Sequence, residues 1–166
     1  PPPLFFSTPN TAYALLRSLV GSEMCIRDRT KTPVLFSKST YPYKAIGILV
    51  NNDFGESTSN SIAFDLASSL SASLVAVNIT QPKFLQSEDT AKLTDSLEKM
   101  QDLALSYQVQ LDFENHEGNE AKIFSELSSK FDLSIIGNGK NQSWQSRKTT
   151  EFISNNSKSS VLYIPS

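Results

Sequence analysis

The sequence predicts an α/β fold: an open, doubly wound parallel sheet of five strands with helices on both faces. Three observations predict it. Short, near-continuous apolar runs recur between residues 44 and 165, as strands covered on both faces require. Stretches with 3.6-residue apolar periodicity separate these runs. The connections are short, and a strand–helix–strand repeat of this kind packs as right-handed crossovers.

Each element has its own justification. After Tyr43-Lys44, Ile46 to Val50 form the first strand, followed by the loop Asn51-Asn52-Asp53-Phe54-Gly55. Ser57 or Thr58 is placed to cap a helix whose apolar face is Ile62, Ala63, Leu66, Ala67 and Leu70. Leu74 to Ile79 make a second strand, and a polar loop with Pro82 follows. Leu93, Leu97, Met100, Leu103, Ala104 and Tyr107 trace one stripe of a longer helix. Val109 to Phe113 alternate as a third strand. Gly118-Asn119 opens a helix facing inward with Ala121, Ile123, Phe124 and Leu127. Leu133 to Ile136 form a fourth strand, Thr149 to Asn156 a last helix, and Val161 to Ile164 a fifth strand.

Composition narrows the function classes. The 166 residues are 39% hydrophobic and 19% charged, with a net charge of -2. Such a balance gives no electrostatic reason to expect a nucleic acid or an anionic membrane as partner. The apolar run Ala45-Ile46-Gly47-Ile48-Leu49-Val50 is far too short for a membrane span. Cys25 and His116 are the only cysteine and histidine. They allow no disulfide framework and argue against a Cys/His metal site.

Residues 1 to about 30 differ from the rest. They lack the charged start and unbroken apolar core of a signal peptide, because Arg17 interrupts the one candidate stretch. Their tail, "GSEMCIRDR", resembles a translated sequencing adapter, and the segment is set aside from the fold. A native amphipathic arm with Tyr13, Leu16 and Val20 at helical spacing is the alternative.

In doubly wound sheets ligands sit beyond the carboxyl ends of the strands, where the strand order reverses. The loops after the first and fourth strands should therefore face one crevice. The second of these, Gly137-Asn138-Gly139-Lys140, is not a P-loop, which needs four residues between its glycines and a Ser or Thr after the lysine. A phosphorylated receiver needs clustered acids after the first strand, and Asp53 stands alone there. An acyl-transfer site lacks its parts, with one histidine and no G-x-S-x-G elbow. His116, beside Glu114 and Glu117, reads as a solvated loop histidine.

The stretch "AIGILVNNDFGESTSNSIAFDLASSLSASLVAVNI" resembles the opening of a universal stress protein (UspA-like) domain. "GNEAKIFSELSSKFDLSIIGNG" resembles that family's helix start, fourth strand and glycine turn, and "SSVLYIP" its closing strand. The similarity covers residues 44–165 in order. It implies a Rossmann-like sheet with strand order 3-2-1-4-5, a cytoplasmic stress-response or regulatory role, and no catalytic machinery.

Nucleotide-binding members carry G-x2-G-x9-G-[ST] after the fourth strand, whose amides hold phosphates. Here Gly137 matches the first glycine, Lys140 takes the second position with Gly139 one residue early, and the third glycine is missing near Arg147-Lys148. Asp53 matches the position that meets the ribose or base, and Lys140, Arg147 and Lys148 could supply charge in place of amides. Each also has a plain structural reading: Asp53 as an Asx turn, the glycines as turn formers, the basic trio as a solvated patch. Trp144 reads as a loop anchor or an interface residue. The resemblance therefore implies a degenerate nucleotide loop, with ATP or AMP and magnesium as the alternative.

Val161 to Ile164 would lie at a sheet edge, and unpaired edges invite pairing. The resemblance implies a homodimer or a tandem pseudo-dimer through that edge. Residues 32–36, "TPVLF", resemble the last strand of another such domain. They suggest that residues 31–43 end and link a preceding domain, in a tandem protein or in the cytoplasmic tail of a transporter. A stray extended arm is the alternative.

Overall fold

The computed structural model describes residues 32–38, 42–50, 58–80, 90–137 and 144–165. In chain order the elements are β1 (Val34–Phe36), β2 (Ala45–Val50), α1 (Thr58–Leu70), β3 (Ser73–Thr80), α2 (Thr90–Tyr107), β4 (Leu111–Glu117), α3 (Glu120–Leu127), β5 (Leu133–Gly137), α4 (Trp144–Asn156) and β6 (Ser160–Ile164). The early segment with Tyr13, Leu16, Val20 and Cys25, and the loops carrying Ser57 and Pro82, lie outside the described residues.

The sheet order is β1-β6-β5-β2-β3-β4. Strands β2 to β6 are parallel neighbours and reproduce the expected order 3-2-1-4-5. The count needs correction: β1 adds a sixth strand, antiparallel to β6. The Val161–Ile164 strand is consequently not the edge of the sheet.

Two apolar layers clamp the sheet. On one face Ile46, Ile48, Leu74, Ala76, Leu133 and Ile135 pack with Ala63, Phe64 and Ala67 of α1 and Met100 and Ala104 of α2. On the other, Leu49, Val77, Ile136 and Val161 pack with Phe124 of α3 and Ile153 of α4. Both layers are needed because β2 is buried from Ile46 to Val50 without interruption.

Several boundaries moved. In α1 the buried stripe runs through Ser59, Asn60, Ala63, Phe64 and Ala67, while Ile62, Leu66 and Leu70 are only partly covered. Phe64, fully buried, was overlooked; burying a side chain of that size stabilises by roughly 2–3 kcal/mol. Strand β4 starts two residues later than expected and runs through Glu114, Asn115 and His116, because its ladder with β3 extends to Thr80 and Glu117. His116 is therefore a strand residue. Helix α4 begins at Trp144, so Trp144, Arg147 and Lys148 belong to a helix instead of a polar loop.

Helices α1 and α2 end alike. Ser71 and Gln108 take positive φ of 52° and 55°, and the next residues donate back five positions, Ala72 to Ala67 and Val109 to Ala104. These are Schellman-type stops on non-glycine residues, and each returns the chain directly to the next strand. Before α3, Gly118 at φ 141° makes a turn closed to residues with a Cβ. Asn119 then accepts from the Lys122 amide as the N-cap.

Candidate functional site

The strand order reverses between β2 and β5: from β2 the chain winds outward to β3 and β4, from β5 outward to β6. Doubly wound sheets open their ligand crevice at the carboxyl end of such a switch point. Here β2 ends at Val50 and β5 at Gly137. The N-terminus of α1 closes over them, with Ser59 and Asn60 each only 6% exposed.

Gly137 has a definite local role. A Cβ placed there would lie 2.6 Å from the Ser59 Cβ, far inside contact distance. Glycine is required so that the first turn of α1 can rest on the end of β5. Of the other sequence-predicted positions, Asp53, Gly139 and Lys140 lie outside the described residues. Arg147 falls in the first turns of α4, and Lys148 beside it is exposed. The structure thus brings Gly137 against Ser59, a residue that the sequence analysis did not single out. The signal was weak, because polar residues at a helix start read as capping whether or not they line a cleft. Among the described residues this end of the sheet offers the start of α1, with the hydroxyl of Ser59 and the amide of Asn60.

Away from the switch point, polar groups among the described residues concentrate in three places. Beside β4, His116 Nε2 lies 3.0 Å from Glu114 Oε2, and Lys130 Nζ lies 3.1 Å from Glu114 Oε1. The hydrogen bond to His116, aided by Lys130 and opposed by partial burial, holds the Glu114 carboxyl below its usual range. Just beyond β4, burial pushes the Glu120 carboxyl up. Among the described residues no group of three potential metal ligands occurs. Near the C-termini of α1 and α2, at the opposite end of the sheet from the crevice, a hollow of about 400 Å³ is lined by Ser68, Ser71, Tyr107 and Gln108. It contains no titrating pair able to do acid–base work.

The third concentration lies along β6. Ser134, Ser157 and Ser159 are buried and satisfy one another: Ser134 Oγ to Ser159 Oγ at 2.7 Å, and Ser157 Oγ to Ser159 Oγ at 3.0 Å. Asp132 accepts from the Lys44 and Ala45 amides at 2.8 and 3.0 Å, pinning the start of β2 beside β5. The segment that includes β1 is fastened here as well. Lys38 donates its amide to Ser160 Oγ at 3.0 Å, and its ammonium to the Ser154 and Ser157 carbonyls at 2.6 and 2.8 Å. Those carbonyls end α4, so the lysine caps the negative pole of that helix. Tyr43 adds its hydroxyl to Ser160 Oγ at 3.3 Å.

No protein-family model and no curated protein matches the sequence. Solved structures do match the fold. A universal stress protein in complex with cAMP superposes with a TM-score of 0.60 at 18% identity, over 75% of this chain and 98% of that one. UspA from Lactobacillus plantarum gives 0.61 at 17%, over 75% and 99%. A universal stress protein from Archaeoglobus fulgidus gives 0.67 at 12%, over 91% of this chain and 56% of that one. No helix among the described residues is long and apolar enough to cross a membrane. The doubly wound strand order and the two helical layers superpose on those solved stress proteins, and this chain has the universal stress protein fold.

Proposed function

We propose that the chain is a universal stress protein-type regulatory domain of the cytoplasm, acting by pairing with protein partners on the β6 side of its sheet and without catalysis of its own. The β1–β6 pair carries this reading. An apolar closing strand, with Val161, Tyr163 and Ile164 buried, takes an added antiparallel strand along Val161 to Tyr163 of its outer side, and this is the geometry of strand-addition recognition. Homodimerisation and pairing with a tandem neighbour are two forms of one interaction. The Archaeoglobus fulgidus match supports the tandem form. It spans 91% of this chain, a share that residues 45–166 alone cannot supply, so it reaches upstream toward β1. A transporter tail would use the same edge.

The second reading is an adenine-nucleotide switch, with ATP or AMP, accompanying magnesium and at most slow hydrolysis. Two observations favour it: a matching stress protein is complexed with cAMP, and Gly137 ends β5 directly under the α1 N-terminus. Asp53, Gly139, Lys140, Arg147 and Lys148 would complete that site. Calorimetric titration of ATP, AMP and cAMP with magnesium into the full chain separates the two, with Asp53→Ala as control. Absence of heat at millimolar nucleotide is expected for the pairing module. Micromolar binding lost in Asp53→Ala overturns it in favour of the switch.

A further inference from the structure

Helices α1 and α2 cross over between parallel strands on the same face of the sheet. Both therefore end beside the amino ends of the strands and present the negative poles of their dipoles there. A lysine, arginine or histidine commonly neutralises such a pole, and neither last turn contains one. The pole of α4, by contrast, receives the Lys38 ammonium. The Schellman-type turns satisfy the carbonyls of Ala67, Ser68, Ala104 and Leu105. Beyond the first turn, the amides of Ser73 and Leu74 are given to Lys44 and Gln110. The Ser69 and Leu70 carbonyls that close α1 thus receive nothing from the returning chain. The hollow of about 400 Å³ lies at these two helix ends. We propose that it binds a flexible organic cation with more than one primary ammonium group, of the linear polyamine class. The site is at the opposite end of the sheet from the β2/β5 switch point and depends on neither reading above.

The lining selects this ligand class. Among the described residues no charged side chain faces the hollow, so an entering cation meets no repulsion. Ser68, Ser71 and Gln108, all exposed, add neutral acceptors to the helix poles. Scattered single acceptors suit the three rotatable N–H donors of an ammonium better than the planar fork of a guanidinium. Neutral oxygens without a carboxylate are also a poor exchange for the water around magnesium or calcium. Tyr107 lines the same hollow, its ring centroid 5.8 Å from that of Phe64, and an aromatic ring attracts a cation over its face. The buried residues Ala67, Ala72 and Val109 give an apolar inner wall for a methylene stem. At the rim, Asp112 Oδ2 lies 3.5 Å from Gln110 Nε2 and adds negative potential. Two helix poles at one hollow favour two ammonium groups over one.

The test titrates spermidine into the full chain, read by calorimetry and by amide chemical shifts. Saturable binding should move the amides of residues 68–73 and 107–110 and leave Gly137 in place. Ser68→Lys puts an ammonium of the chain's own into the last turn of α1. It should weaken spermidine by about tenfold or more and raise the melting temperature by about 1–3 °C, as a neutralised helix pole would. Ser129→Lys adds the same charge at an exposed site elsewhere and should leave the affinity unchanged. Tyr107→Leu should weaken binding by about threefold to fivefold, whereas Tyr107→Phe, which keeps the ring, should not. Butylamine, with a single ammonium, should bind about tenfold more weakly than spermidine. No saturation below about 5 mM spermidine overturns the proposal. So does equal weakening by Ser68→Lys and Ser129→Lys, the mark of diffuse attraction to a chain of net charge -2. Shifts centred on Asn60 and Gly137, or butylamine binding as tightly as spermidine, overturn it as well.

Discussion

The strand at one end of the sheet, β4, is paired on one side only among the described residues and is at least partly exposed along its whole length. Near the other end, β6 is apolar, largely buried and paired on both sides. The difference lies in how each strand handles its free backbone. Strand β4 carries Asp112, Glu114, His116 and Glu117, and charges on an edge strand discourage a second strand from docking. Strand β6 carries none and depends on a cover. An edge can be protected by charge or by occupancy, and this sheet uses one device on each side.

Moving the β4 device onto β6 should have the largest effect. Val161→Glu puts an unpaired carboxylate at a fully buried position, and chemical denaturation should show a loss of about 4 kcal/mol or more. The reciprocal change, Glu114→Val, removes only half-exposed contacts to Lys130 and His116 and should cost at most about 1 kcal/mol. Equal losses would erase the distinction between the two edges.

Ser160→Ala is next. It removes the acceptor for the Lys38 amide and the Tyr43 hydroxyl, and thermal melts should report a loss of about 1–2 kcal/mol. Lys38→Met follows, at about 0.5–1 kcal/mol, because it uncaps α4 and no more. Its sharper readout is hydrogen exchange: amides of residues 34–36 should exchange faster while those of β2 and β3 stay unchanged.

The smallest effects are those of pH, and they belong to the β4 side. Glu114 has its folded pKa lowered. It contributes stability above the usual glutamate value and loses it as pH falls through the lower folded value. Glu120 has its folded pKa raised by burial. Its charged form costs stability above that raised value, and the cost disappears as pH falls through it. Glu120→Gln should therefore stabilise at neutral pH and gain nothing in acid, whereas Glu114→Gln should destabilise at neutral pH and lose nothing further in acid. Melting curves between pH 3 and 8 would read both, and identical slopes in the two variants would refute the assignment.

The parallel sheet was legible in the sequence because strands buried on both faces leave near-continuous apolar runs, as Ile46–Val50 and Leu133–Ile136 do. Phe64 was missed because Ser59 and Asn60, which share its stripe, disguise the buried face of α1 as polar. The far half of β4 was missed because Glu114 to Glu117 look like a loop. Only the ladder to β3 makes them a strand. Helix α4 lacks apolar periodicity over its first turns, so its start was invisible. At the crevice Gly137 was found, but its reason was not: the obstacle is Ser59, 78 positions earlier in the chain, a proximity that no local pattern encodes. The pairing of "VLF" with "VLY" was half legible, as a likeness between two segments. The antiparallel register that makes the likeness meaningful exists only in three dimensions.

The contact between Val34 and Tyr163 also orders events in time. During synthesis β1 leaves the ribosome first among the described strands, and its partner β6 leaves last of them. At about 5–20 residues per second, the intervening chain takes on the order of ten seconds to emerge. Throughout that interval the parallel strands can assemble from their neighbours, while β1 has no backbone to join. Loop closure of this length is the slowest pairing the topology requires, so β1 docks at the end of folding onto a nearly finished sheet. A closing strand of that kind is also the first to leave when the protein is pulled or warmed. In a crowded cell, the interval of greatest exposure for this domain would be the seconds before β6 arrives.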